Sequence, residues 1–185
     1  MYRKCATELS AQHQHQVEQT LLELMLKKPI EDISVTELCQ ASGVTRRVFY
    51  HLFNNKTDAL HALIDHTIQD IEDFHPDTRD EVVRFFLFWK EQKKLLDALI
   101  ASRQSSLLVD RLISHTVSED YDYLYWVNAN GWEQQQDVVT FNLCGLMGLI
   151  FRWHHFGYQK SAEEMAALLV RIITTPLVRG PSPEE

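Results

Sequence analysis

Residues 33–60, ISVTELCQASGVTRRVFYHLFNNKTDAL, decide the fold. Ser34 precedes a short apolar run, Val35, Leu38 and Cys39, and Glu37 stands three residues after it. That Ser-x-x-Glu spacing is a capping box: the serine hydroxyl accepts from the Glu37 N–H, and the carboxylate accepts from the Ser34 N–H. The helix it opens lasts about two turns. Ser42-Gly43 follows, and glycine takes the left-handed conformation that ends a helix at little cost. Thr45 offers a second N-cap, and Arg46 to Leu52 a second short helix. Two short helices joined by a tight glycine turn form a helix-turn-helix, whose second helix can enter the DNA major groove.

The second helix has two unlike faces. Val48, Phe49 and Leu52 are its apolar side, and Phe53 closes the segment. Thr45, Arg46, Arg47, Tyr50 and His51 are polar and point away from a core. Two arginines in a first helical turn sit at the positive end of the dipole, which is unfavourable until a polyanion lies in front of them. Arginine also pairs bidentately with guanine, and arginine and tyrosine both contact phosphate. A charge pair of this kind is by itself equally well a solvated surface. The turn geometry around it favours DNA. Thr45, Arg46, Arg47 and His51 are the candidates for base edges, and Ser34, Thr36, Tyr50 and Lys56 for phosphates.

The segment resembles the DNA-binding domain of TetR-type (TetR/AcrR) bacterial transcriptional regulators. Their pattern is Ala-x-x-Ala-Gly-Val-Ser/Thr-x-x-x-Phe/Leu-Tyr-x-x-Phe, then a polar residue, Lys, and Leu a turn later. Cys39, Ser42, Gly43, Val44, Thr45, Phe49, Tyr50, Phe53, Asn55, Lys56 and Leu60 stand at those places. The likeness spans residues 15–70, and Phe49-Tyr50 with Phe53 and Lys56 is its most diagnostic part. The chain departs from the pattern at Cys39 and Ser42, where alanine is usual, and at Arg47 and Val48, where its own base preference is expected. The resemblance implies a homodimer on palindromic double-stranded DNA, with repression relieved by a small-molecule effector.

The rest of the chain fits an all-α protein of about nine helices. Only six glycines and five prolines occur in 185 residues, and no apolar run alternates with period two. The first helix is expected over Thr7–Lys27, with Val17, Leu21, Leu24 and Met25 inward. Ile30 and Ile33 pin the loop after Pro29. A fourth helix, capped by Asn55, carries Leu60, Leu63, Ile64, Ile68 and Ile71 at helical spacing and runs to His75-Pro76. His75-Pro76-Asp77 marks the boundary between a three-helix helix-turn-helix domain at 1–75 and a helical regulatory and dimerisation domain at 76–185. In the second part VVRFFLFW, KLLDALIAS and SLLVDRLISHT read as helices. Asn128 to Gly131 is a turn, Trp132–Tyr158 a long apolar helix, Ser161 the cap of a last helix, and 180–185 a frayed tail.

The net charge of −8 divides unevenly. Through residue 60, Arg3, Lys4, Lys27, Lys28, Arg46, Arg47 and Lys56 balance Glu8, Glu18, Glu23, Glu31, Asp32, Glu37 and Asp58, so the body carries the whole excess. DNA is repelled from the body and left to the N-terminal face. A hydrophobic share of 45% is ordinary for a globular chain. No 18-residue apolar span and no secretion signal are present, and Cys5, Cys39 and Cys144 are odd in number and far apart; a cytoplasmic protein off the membrane is expected. Cys39 and Cys144 fall in apolar runs and read as small hydrophobes.

The body offers two further surfaces. Gly145 and Gly148 leave room for close helix approach, among Leu146, Leu149, Ile150 and Trp153. Either this is an ordinary core helix, or it is a dimer face made from Gly145, Gly148, Leu149 and Trp153 with Met165, Leu168, Leu169 and Ile172 of the final helix. TetR-type proteins dimerise through a four-helix bundle of these two helices, and Arg152-Trp153, Gly157 and Ser161 to Met165 also look like one branch of the family. Phe85, Phe88, Trp89, Tyr121, Tyr125, Trp126 and Phe141 are either core packing or, as the resemblance implies, the lining of an effector pocket. With a nearby carboxylate such a lining favours an organic cation. Nine histidines show no converging metal-ligand spacing, and neither a nucleophile elbow nor a phosphate loop occurs, so no metal, cofactor or enzyme activity is expected. The rival reading is a family-like co-regulator or activator that works through a partner protein.

Overall fold

Every element in the computed structural model is helical among the residues it describes, which are Tyr2, 7–71, 78–118 and 136–174. Helix α1, Glu8–Met25, starts where Thr7 accepts from the Ser10 N–H, two residues inside the expected C-terminal limit at its other end. A 3₁₀ turn, Ile30–Asp32, leads to α2, Val35–Ser42, and α3, Arg46–Leu52. Helix α4, Lys56–Gln69, follows an Asn55 cap that accepts from the Asp58 N–H at 2.9 Å. The body holds α5 (Arg79–Glu91), α6 (Lys93–Ala101), α7 (Ser105–Ser118), α8 (Gln136–His155) and α9 (Ala162–Thr174).

The expected α4 is too long. It stops at Gln69, where Asp70 caps it, and Ile71 folds back through its N–H to Ile68. The proposed boundary at His75-Pro76-Asp77, the turn before Gly131, Cys5 and the tail lie outside the described residues. Helix α8 is described from Gln136, not Trp132. Helix α9 opens with a complete capping box: Ser161 N donates to the Glu164 carboxylate at 2.7 Å and Glu164 N to the Ser161 hydroxyl at 3.2 Å. The box at Ser34 forms only by half. Ser34 accepts from Glu37 N at 3.1 Å, but the Glu37 carboxylate accepts from Lys28 Nζ at 2.7 Å instead of turning back. That lysine hydrogen bond holds the Glu37 carboxyl below its ordinary pKa.

Helix α1 is the hub of the N-terminal half and packs on α2, α3, α4 and α6. Val17, Leu21 and Met25 are buried as the spacing predicts, but Leu24 is only partly so. The inner face instead includes Gln14 and Glu18, the latter 1% exposed. Glu18 meets His66 of α4, Oε2 to Nδ1, at 2.9 Å. Helix α4 buries Leu60, Leu63, Ile64 and Ile68, and also Asp65. Asp65 accepts from Arg111 Nε of α7 at 2.7 Å and from the Tyr2 hydroxyl at 2.9 Å, and a second arginine nitrogen reaches its other oxygen. His115 of α7 stands 3.5 Å away. In the body α9 lies along α5, and α7 against α8 and α4. Cys39 is buried as expected, whereas Cys144 is exposed on α8.

The Glu18 hydrogen bond, reinforced by its charge, raises the His66 pKa above the ordinary 6.5 against an opposing effect of burial. A folded-state pKa above the unfolded one contributes stability that is complete below the unfolded value and is lost as pH rises through the folded value. The melting temperature gap between wild type and His66→Asn should therefore be widest below pH 6.5 and close as pH climbs past the raised pKa. A gap that stays constant over roughly pH 5–8, in thermal unfolding followed by circular dichroism, would show that the pair does not titrate this way.

Candidate nucleic-acid interface

Three local devices fix α2 and α3 at an angle. Gly43 takes φ +69° and ψ +12°, left-handed backbone that a side chain opposes. The next residue returns Val44 N to Cys39 O at 3.1 Å, closing the last turn of α2. Ser42, where the family pattern prefers alanine, is buried and turns its hydroxyl onto Leu38 O at 2.7 Å, so the extra polar atom is satisfied inside the helix. Thr45 then caps α3 by accepting from Val48 N at 3.3 Å.

Helix α3 is anchored by Phe49 and Leu52, both buried, with Val48 half-buried beside them. Phe49 stacks at a tilt on Phe53, with ring centres 5.4 Å apart, and meets Tyr50 edge-on at the same distance. The opposite side presents Thr45, Arg46, Arg47, Tyr50 and His51, all exposed. No acidic residue lies in the first turn of α3, so the helix N-terminus and two guanidinium groups add their positive charge in one place.

The two arginines are held differently. Arg46 donates to the Thr36 hydroxyl on α2 at 3.4 Å and lies over the Tyr50 ring at 5.9 Å. Arg47 makes no hydrogen bond, ion pair or ring contact among the described residues. Thr36 is thus tied to Arg46, and the Ser34 hydroxyl is engaged as a cap. The bracing of Arg46 across ten residues has no signature in the sequence, because it depends on the angle between α2 and α3.

Lys56 is placed otherwise than a simple phosphate contact. Its ammonium donates to Glu31 O at 2.7 Å and Ile33 O at 2.8 Å, tying the start of α4 to the 3₁₀ turn. The same turn is joined to the body, where Ile30 N donates to the Ser102 hydroxyl at 3.1 Å and Gln104 donates to Glu31 at 3.3 Å. Body, 3₁₀ turn and reading helices are therefore in series.

The effector candidates do not gather around a described cavity. Phe85 and Trp89 are buried, with rings 6.3 Å apart, Phe88 is half-buried against Trp89, and Phe141 is 64% exposed. The first two serve the α5 packing face; Tyr121, Tyr125 and Trp126 lie outside the described residues. The expected dimer set also divides. Trp153, Met165 and Leu169 are buried within their own chain, because α9 rests on α5 and Trp153 packs edge-on against Phe86 while donating to Lys160 O at 2.9 Å. Leu149 and Leu168 are half-buried, and Gly145, Gly148 and Ile172 are exposed. Phe141, Cys144, Gly145 and Gly148 lie on one exposed stripe of α8. Helix α9 adds exposed Val170, Ile172 and Ile173. Among the described residues no group of three or more His, Cys, Asp or Glu is placed to hold a metal ion, and no helix is long and apolar enough to cross a membrane.

Comparison with known proteins bears on the family and the fold. Residues 77–175 match a TetR-type family model described as a transcriptional regulator C-terminal region. No curated protein matches the chain. A TetR transcriptional regulator from Streptococcus agalactiae 2603V superposes with TM-score 0.65 at 13% identity, over 89% of this chain and 95% of that one. A TetR-family transcriptional regulator from Streptomyces coelicolor gives 0.57 at 19%, over 88% and 79%. The dihydroxyacetone kinase operon activator DhaS gives 0.51 at 15%, over 87% and 93%. At these identities the likenesses speak for the fold. Lys56→Ala removes two charge-assisted hydrogen bonds and should lower unfolding stability by about 1–2 kcal/mol in urea titration; an unchanged midpoint would mean the lysine latch contributes nothing.

Proposed function

The chain belongs to the TetR-type family of transcriptional regulators, and from that premise we propose that it is a cytoplasmic homodimeric repressor of palindromic operators, released by a small-molecule effector. The observation that carries the DNA-reading part is Arg47. It is exposed on the outer face of α3, opposite buried Phe49, and has no partner among the described residues. A guanidinium held at a helix N-terminus and left free is suited to guanine. Thr45, Arg46 and His51 flank it as further base readers; Arg46 is aimed by Thr36 and Tyr50. Ser34, Thr36, Tyr50 and Lys56 surround them as phosphate contacts, Lys56 with the one ammonium proton its carbonyl bonds leave over. The domain division at residues 1–75 and 76–185 belongs to the same reading.

A single helix-turn-helix reads few base pairs, and two-fold pairing doubles the readout over a palindrome. The exposed stripes of α8 and α9 offer the contact. A Cβ added at Gly145 or Gly148 would meet nothing within 4 Å among the described residues, which suits the close approach of a partner helix. Effector binding among the helices after residue 76 belongs to the same reading, with half-buried Phe88 and exposed Phe141 as the aromatic candidates that packing leaves accessible. A second reading is a co-regulator or activator that works through a partner protein; one solved structure of this fold bears the name of an operon activator, so the fold is compatible with activation.

Binding-site selection with the purified protein separates the two. A palindromic consensus obtained without any added protein supports the repressor-type reader, and no consensus without a partner supports the other. In the same assay Arg47→Ala should change the preferred base at one position in each half-site, lowering discrimination there by about 1–3 kcal/mol; an unaltered consensus removes Arg47 from the base readers. Gly148→Arg should keep its helical circular dichroism spectrum, since Gly148 is exposed and an added Cβ meets nothing within 4 Å among the described residues. It should sediment as a monomer, and a dimer of this variant would exclude the α8 stripe as the interface.

A further inference from the structure

A cavity of about 390 Å³ lies in the seam between α1, α4 and the α5–α6 junction, away from both the outer face of α3 and the exposed stripes of α8 and α9. Its size falls within the roughly 300–1,000 Å³ of small-molecule sites. Leu22, Leu63 and Leu95 give it an apolar wall. Among its polar lining residues is Glu18, which is 1% exposed. One carboxylate oxygen of Glu18 meets His66; the other, Oε1, is shielded from solvent and has no hydrogen-bond partner among the described residues. A buried carboxylate oxygen without a donor is a costly arrangement, and one that a bound donor would relieve.

The charges around the cavity have a definite sign. Glu18, Asp70 and Glu91 are acidic, Lys94 is the basic residue opposite them, and His15 and His66 supply imidazoles. Helix α4 ends at Asp70, so the negative end of its dipole falls on the same wall. The α5–α6 junction brings one helix end of each sign, and these offset. A metal ion is a poor occupant, because no three His, Cys, Asp or Glu among the described residues converge to hold one. An ammonium group on a compact apolar body fits these features: its charge matches the excess acid, its body lies on the leucines, and its N–H donors meet the free oxygen of Glu18 once that carboxylate turns it into the seam.

We propose that this seam is a binding site for a small primary amine, with Glu18 as its counter-ion and Asp70 and Glu91 at its rim. The site clamps α1 to α4 on one side and to the α5–α6 junction on the other, where it joins the reading helices to the body. The proposal concerns occupancy of the seam and is tested without DNA, so it stands or falls apart from the operator reading.

The test uses the full-length protein, at a pH above the imidazole range so that His66 is neutral while the amine stays charged. Benzylamine, n-butylamine and isoamylamine are the probes, with benzyl alcohol, n-butanol and isoamyl alcohol as neutral controls. At least one amine should give a saturable rise in Tm that its alcohol does not. Glu18→Gln should abolish the rise, and Glu91→Gln, an exposed rim change, should weaken the apparent affinity several-fold. Equal shifts from amine and alcohol, no saturable rise with any of the three amines, or a rise that survives in Glu18→Gln would overturn the proposal. Should Glu18→Gln fail to fold, the imidazole resonances of His66 in the wild type decide. A saturating amine lowers the His66 titration midpoint and the alcohol leaves it in place, whereas a midpoint unmoved by the amine rejects the site.

Discussion

The fold depends on one buried carboxylate. Asp65 sits in the middle of α4 and is 3% exposed, yet its two oxygens receive Arg111 from α7 and the hydroxyl of Tyr2, with His115 close by. An ion pair in such a place adds little net stability relative to an apolar pair, but leaving one partner alone costs about 3–5 kcal/mol. The result is a constraint of register more than of strength. Helix α7 has one position along α4 in which the guanidinium meets both oxygens, and every element packed on α7, α8 included, inherits that position. Asp65 also pushes up the Tyr2 phenol, an effect added to the larger one of burial.

The same helix carries force in the other direction. Its first residue, Lys56, grips the 3₁₀ turn that leans on Ser102 of the body, and its far half meets α1 through His66 and Glu18. Helix α4 is thus fastened by polar contacts at its first residue and, through Asp65 and His66, in its second half, while its leucines and isoleucines supply the cohesion. Polar fastenings have discrete geometries and apolar packing tolerates sliding, so this is an element suited to having two defined arrangements instead of a continuum.

Much of this was legible from residue order, and the illegible part has a common cause. The caps at Ser34, Thr45 and Asn55, the left-handed Gly43 and the apolar stripe of α4 are local, and spacing alone reveals them. The buried polar positions carry no such decisive local mark. Gln14 and Glu18 sit in the register of Val17 and Leu21, a visible clue, but composition favours exposure for such residues unless a partner is known. The partners lie 48 residues away for Glu18 and 46 for Asp65, so neither pair can be found without the fold. The expected dimer set divides between interior and surface for a similar reason. Spacing identified two apolar helices, but which side of α9 faces α5 is a tertiary fact, and it claims Met165 and Leu169 for the interior.

The unequal support of the two neighbouring arginines has a consequence for how the interface can change over time. Arg46 is woven into the contact between α2 and α3 through Thr36 and Tyr50, so altering it disturbs the angle of the reading helix. Arg47 has no hydrogen bond, ion pair or ring contact among the described residues, so none of these is broken when it is replaced. Its freedom also means that up to about 2 kcal/mol of rotamer entropy is surrendered when it is immobilised on a ligand. On the proposed reading, position 47 is where a lineage can drift from one operator to another while the scaffold that presents it stays as it is.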